Sequence, residues 1–398
     1  MIIKKTLLAI AIIATVAAPV ALAQNVQIYG KLYPFIINEK GSGATPTGTP
    51  VATFAATPTG TNTMGATGMA SGNSRVGFRG QEDLGGGLKA MFQFEGVVSV
   101  DESPAFSFNR DTFVGLTGGF GTVKLGVLDT IFKNYGDTIG MLGVSSGTFL
   151  STSDVLRKTG FGTSSASSFH LRRANSIQYE SPEISGFQAG LQYSTDEAAK
   201  TATRDPVVIS MGVKYDQGPW YVAIAHEIHD DLFGGSRNAP SSMRNNGIID
   251  PTLSKDRATQ FTVEYRLNKK HKFAFDVIRK EYKENATVAG RFGSYENTAY
   301  LLAMENRWSE QWRTSAYYAK ADAGSCTRIA AACVTDGLDA TKVAFGVGYF
   351  LSKRTMLFSA VSRLTNGKSA RYNNAELGGP PNPGEAITQY ALGLSHSF

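Results

Sequence analysis

Three short stretches carry residue types that do chemistry in other proteins, and each fails on spacing. "HEIHD", His226 to Asp230, gathers two histidines and two acids. Its histidines lie three apart, on opposite faces of an extended strand, whereas a helical zinc site needs them four apart on one face. "NGKSA" holds Gly367, Lys368 and Ser369, but Ser362 stands where a phosphate-cradling loop needs its first glycine. "GGFGTVKLG" puts its glycines in a turn between strands and not at the opening of a helix, so it is no dinucleotide loop. With five histidines and none near a plausible serine or cysteine nucleophile, no enzyme, metal or cofactor is expected. What remains is a set of single cations beside apolar residues, among them Lys31, Arg75, Arg79, Lys124 and Arg172. Whether those five act together depends on the elements that carry them.

The N-terminus sets the compartment. "MIIKK" is a basic stretch, Thr6 to Ala18 is apolar, Pro19 ends the run, and Ala21-Leu22-Ala23 offers small residues to a signal peptidase. That pattern predicts a secretory signal over 1–23, cleaved after Ala23, with the mature domain over 24–398 and export through the Sec route. Losing Lys4 and Lys5 takes the formal net charge from +6 to +4, too modest to imply a nucleic-acid partner. Past the signal no window holds the roughly 18 consecutive apolar residues of a transmembrane helix. Two cysteines in 398 residues exclude a disulfide scaffold and a cysteine metal cluster.

The ordered segments share a beat of two. Phe187, Ala189, Leu191 and Tyr193 alternate with Gln188, Gly190, Gln192 and Ser194. The C-terminus does the same through Tyr390, Leu392, Leu394, His396 and the final Phe398. A period of two means strands with one apolar and one polar face. Sixteen are expected, near 25–37, 72–82, 87–96, 108–117, 121–128, 171–180, 186–195, 207–216, 219–228, 256–267, 270–281, 295–307, 310–321, 339–351, 353–363 and 387–398. Tight turns such as "EDLGGG", "DQGP" and "SK" alternate with long polar stretches: Asn38 to Ser71, Asp230 to Lys255, Ala323 to Leu338, Thr365 to Glu385. No helix is expected on either face.

A sandwich would need two apolar faces to fill one another, whereas here polar faces match apolar ones in extent. In an outer-membrane barrel the apolar face meets lipid and the polar face lines an interior. Backbone groups in lipid must be satisfied within the sheet, so the last strand has to pair with the first. The expected fold is therefore all-β, a 16-stranded antiparallel transmembrane barrel in the outer membrane.

The sequence resembles the trimeric general porins of Gram-negative bacteria, most closely their beta-proteobacterial branch. "QIYGKLY", "NSRVGFRGQEDLGGGLKAMFQFE", "NRDTFVGLTGGFGTVKLG", "HLRRANSIQYESPE" and the terminal Phe398 carry the likeness. The resemblance implies a homotrimer among outer-membrane lipid and lipopolysaccharide, with Phe398 read as an assembly signal by the barrel-insertion machinery. It implies a water-filled channel for passive diffusion of small hydrophilic solutes and ions. It also implies that the third loop, Asp129 to His170, folds into the lumen as a constriction. Its length alone marks it as functional or disordered.

Strand parity points the five cations into one sector. If Val26, Ile28 and Leu32 face lipid, Lys31 faces the lumen; Val76 and Phe78 outward put Arg75 and Arg79 inward. Val123 and Leu125 outward put Lys124 inward, and Ile177 and Tyr179 outward put Arg172 inward, with Arg173 as its competitor. A charge facing the bilayer midplane costs on the order of 2–4 kcal/mol, which enforces the parity. The resemblance matches Lys31 to the lysine of "YGK" and Arg75 to the arginine of "R-x-G-F". It sets acidic loop residues, here Asp129, Asp137 and Asp154, against that wall.

The chain departs from the family at Val127, where many relatives carry arginine, and it lacks a "PEFGG" stretch in the third loop. A weak anion preference is expected. The alternatives are a substrate-specific channel and an outer-membrane hydrolase. Cys326 and Cys333, seven apart in an exported chain, are expected to form a local disulfide.

Overall fold

The computed structural model describes residues 26–102, 106–136, 138–144, 146–162, 164–196, 201, 204–245, 251–268 and 270–398. The expected signal over 1–23 lies outside them. Nineteen strand segments form one antiparallel sheet that returns to its start. They amount to sixteen strands, because three strands are each split in two.

The first strand is Gln27–Leu32 plus Phe35–Ser42, split at Tyr33 and Pro34, where proline has no N–H to give the ladder. The second is Gly65–Ala70 plus Arg75–Gly85. Strands three to eight are Leu88–Val97, Thr112–Gly118, Gly121–Asp129, Arg172–Glu180, Phe187–Thr195 and Val207–Gln217. Strands nine to twelve are Trp220–Asp230, Lys255–Leu267, His271–Lys283 and Phe292–Arg307. The thirteenth is Trp312–Ala321 plus Ser325–Arg328, and the last three are Ala340–Phe350, Thr355–Asn366 and Ala386–Ser397. The last strand pairs with both pieces of the first, through Lys31↔Ser397 and Gly393↔Phe35. The sheet is closed.

All sixteen expected strands are present, and two connections are shorter than expected. Phe35–Ser42 continues the first strand into the stretch expected to be loop, and Gly65–Ala70 pairs back onto it. Gly65–Ala70 has no alternation of large residues, so its sequence carries no strand signal. Likewise Ser325–Arg328 extends the thirteenth strand along the twelfth, with Tyr295 opposite Cys326.

The outer face follows the alternation. Ile28, Val114, Leu125, Ile177, Leu191, Ile224, Leu302, Val343 and Leu392 are exposed. Trp220 packs on Tyr265, Trp312 on Tyr349 and Phe187 on Tyr215, each pair beside a short turn. Aromatic girdles mark the two membrane interfaces of such barrels.

Candidate pore constriction

The third loop carries two short helices that the sequence did not announce, α1 (Ile131–Gly136) and α2 (Ser153–Leu156). Between and around them Ile131, Phe132, Leu142, Phe149, Leu150, Val155, Leu156 and Phe169 are all fully buried. They belong to one cluster with Phe35, Ala225, Ile278, Tyr295, Ala319 and Phe358, residues that alternate with exposed ones along their strands. A closed single sheet has no second layer to bury these side chains, so this segment packs against the polar side of the wall.

Buried cations of the strands hold the loop by its backbone. Lys31 Nζ donates to the Gly143 carbonyl at 2.7 Å, Lys280 Nζ to Leu156 at 2.6 Å and Lys342 Nζ to Ser151 at 2.7 Å. The Tyr282 hydroxyl donates to the Ser167 carbonyl at 2.5 Å, and Arg157 Nε to Gln260 Oε1 at 3.2 Å. A buried ammonium is tolerable only when its protons are satisfied, and each loop carbonyl gains a charge-assisted bond.

A ladder of charge runs along one sector. Glu95 accepts from Tyr29 at 3.0 Å, pairs with Arg75 at 3.5 Å and pairs with Arg110. Arg172 bridges Asp111 at 2.6 Å and Asp129 at 2.8 Å, and Lys133 also reaches Asp129 at 2.8 Å. Arg75, Arg110, Lys133 and Arg172 thus share three carboxylates, and with Lys31, which bonds a loop carbonyl instead, the sector is left cationic. In the loop, Asp154 sits between Lys342 at 2.7 Å and Lys158 at 3.2 Å. A cavity of about 590 Å³ separates the loop from the wall, and Arg110, Lys133, Asp154, Lys158 and Arg172 line it.

The sequence profile of Gram-negative porins matches residues 8–369. The chain belongs to the Gram-negative porin family. It is 26% identical over 417 aligned positions to outer membrane porin protein 32 of Delftia acidovorans, covering 99% of this chain and all of that one. It is 33% identical over 198 residues to the major outer membrane protein P.IB of Neisseria gonorrhoeae, where the match spans about half of each chain, 48%. Among solved structures, an anion-selective porin from Comamonas acidovorans superposes with a TM-score of 0.69 at 22% identity, over 94% of this chain and all of that one. OmpT of Vibrio cholerae gives 0.63 at 14% identity, over 96% of this chain and all of that one.

Of the five cations expected on this porin's wall, the structure places Lys31, Arg75 and Arg172 at or beside the loop. Arg79 lies further along the second strand, where it donates to Gln27 at 2.9 Å and stacks over Tyr29. Lys124 is paired with Glu180 at 3.2 Å near the short-turn end. Among the described residues, neither bonds directly to the third loop. Arg173 reaches Asp196 at 3.4 Å, away from the Arg172 cluster. Asp129 is corrected in position: it ends the fifth strand and neutralises Arg172 on the wall itself instead of facing it from the loop. Asp154 is on the loop as expected, in α2. Asp137 lies outside the described residues.

Sequence reasoning missed Glu95, Asp111, Arg110, Lys133, Lys280 and Lys342. Parity was available for some: Lys342 precedes the outward Val343, as Lys124 precedes Leu125. Nothing in the sequence ranked Lys342 above other inward polar groups, because its partner Asp154 is 188 residues away.

Proposed function

We propose that this protein is an outer-membrane channel through which small hydrophilic solutes and ions diffuse passively, with a weak preference for anions. The third loop narrows the lumen, and permeant ions pass the cavity between that loop and the wall. The observation that carries this is the charge count at the narrowing. Arg75, Arg110 and Arg172, with Lys133 of the loop, share Glu95, Asp111 and Asp129, Lys31 bonds the Gly143 carbonyl, and Asp154 is held between two lysines. Low-dielectric walls focus the field of such a cluster, raising the local concentration of counter-ions. Because most of these charges are paired, the preference is weak. The Comamonas acidovorans porin described as anion-selective shares the fold, in support.

The assembly is a homotrimer in lipopolysaccharide-bearing membrane, exported after removal of residues 1–23 and inserted by the barrel machinery, which reads Phe398. Family membership supports this.

The test is the reversal potential of the purified protein in a planar bilayer under a potassium chloride gradient. Anion preference is expected, largely lost near 1 M salt, where the Debye length is about 3 Å. A cation-selective channel overturns the proposal. Liposome swelling with neutral sugars separates a general pore, graded by solute size, from a substrate-specific one. Unheated electrophoresis should show a trimer band that collapses on boiling.

A further inference from the structure

The last long connection, residues 367–385, is tied to the third loop and not only to its own strands. Arg371 N–H donates to the Gly160 carbonyl at 2.7 Å, and Asn374 Nδ2 donates to the Phe149 carbonyl at 3.2 Å. From the first strand, Glu39 takes the backbone N–H groups of Glu376 at 2.6 Å and Leu377 at 3.1 Å. This docking brings Glu376 to the same cavity of about 590 Å³ that holds Arg110, Lys133, Asp154, Lys158 and Arg172.

We propose that Glu376 is a second acid of the constriction, supplied by the last loop, and that its charge sets how much anion preference the pore retains. The proposal rests on the anion-preferring channel argued above and names the residue that tunes it. Asp154 has two lysine partners, so its charge is compensated in place. Glu376 is anchored through its backbone N–H by Glu39, while its carboxyl takes the Phe149 N–H and is the adjustable charge of the cavity.

Its surroundings make that charge depend on pH in a usable range. Burial, then the neighbouring Asp154 and Glu39, push the Glu376 carboxyl up to about 8, against the Phe149 N–H and Lys342, which favour the charged form. Below that pH Glu376 is neutral and the cations act without it; above it a negative charge is added. Anion preference therefore falls as pH rises through about 8. Arg110, Lys133, Asp154, Lys158, His170 and Arg172 share the cavity wall with it.

The experiment compares wild type and Glu376→Gln in planar bilayers under a potassium chloride gradient at roughly pH 7 and 9.5. The wild-type chloride-over-potassium permeability ratio should fall about twofold between them, as one charge is added to a focused cluster. Glu376→Gln should keep the pH 7 ratio at both. Glutamine preserves the side chain's shape and an acceptor for the Phe149 N–H, and the wild-type titration needs no variant. A wild-type ratio that ignores pH overturns the proposal, as does an equal fall in both proteins. Cation preference at pH 7 in both overturns the channel reading beneath it as well; an anion preference indifferent to pH removes Glu376 alone.

Discussion

Gly30 and Phe398 exchange two backbone hydrogen bonds of 3.1 Å, N–H of each to the carbonyl of the other. This joins the last residue to the start of the first strand and closes the seam of the barrel beside Lys31↔Ser397. The Phe398 ring lies over Gly30: a Cβ there would meet it at 2.4 Å and the Arg75 carbonyl oxygen at 2.7 Å. The residue before the wall lysine is a glycine because another chain segment occupies the space of a side chain.

Gly30→Val should therefore hinder closure itself. Overpacking of this kind costs typically 1–3 kcal/mol. The refolded fraction in detergent, read as the heat-modifiable band, should drop. Phe398→Ala removes the ring and keeps the seam bonds, so it should refold in detergent but accumulate poorly in the outer membrane of cells. If it reaches the membrane at wild-type levels, Phe398 is no assembly signal.

Arg75→Ala leaves Glu95 paired with Arg110 alone and takes one cation from the wall. The reversal potential should shift toward cations, more at low salt than at 1 M, where screening acts within about 3 Å. An unchanged potential removes Arg75 from the permeation path. Arg79→Ala, lower on the same strand and bonded to Gln27, should have the smaller effect.

Lys342→Met leaves the Ser151 carbonyl with the Tyr317 hydroxyl at 3.4 Å and Asp154 with Lys158 only. Breaking a buried pair by removing one partner costs on the order of 3–5 kcal/mol, here paid by the loop's attachment and not by the sheet. Single-channel traces should flicker while the trimer band persists. Restoring quiet currents with Lys342→Met plus Asp154→Asn would show that the Asp154 charge, deprived of its buried partner, is the cause.

Cys326 and Cys333 have Cα atoms 5.7 Å apart with their sulfurs at bonding distance, where the thirteenth strand runs into its loop. A disulfide forming there in an oxidising compartment closes a short segment and leaves the ladder untouched. Unreduced, unfolded protein should take up no thiol label, and Cys326→Ser with Cys333→Ser should conduct as wild type. Labelling of two thiols would refute the bond.

Alternation alone was enough to place sixteen strands and their outward faces, because a strand's two faces are a local property and lipid penalises a charge on the wrong one; between Arg172 and Arg173 it did not choose, and the register of the ladder shifts beside them. The terminal aromatic announced a closing strand for the same reason. Tertiary structure decided what alternation cannot encode. Gly65–Ala70 is a strand only because Phe35–Ser42 offers it a ladder. Asp129 lies three residues from Phe132 in sequence, yet it belongs to the wall through Arg172, 43 residues away. Lys342 finds Asp154 across 188 residues, and Glu376 reaches the third loop from the far end of the chain. A pore's charge pattern is set by which side chains share the lumen, and closing the sheet brings together residues that neither period nor neighbour in sequence connects.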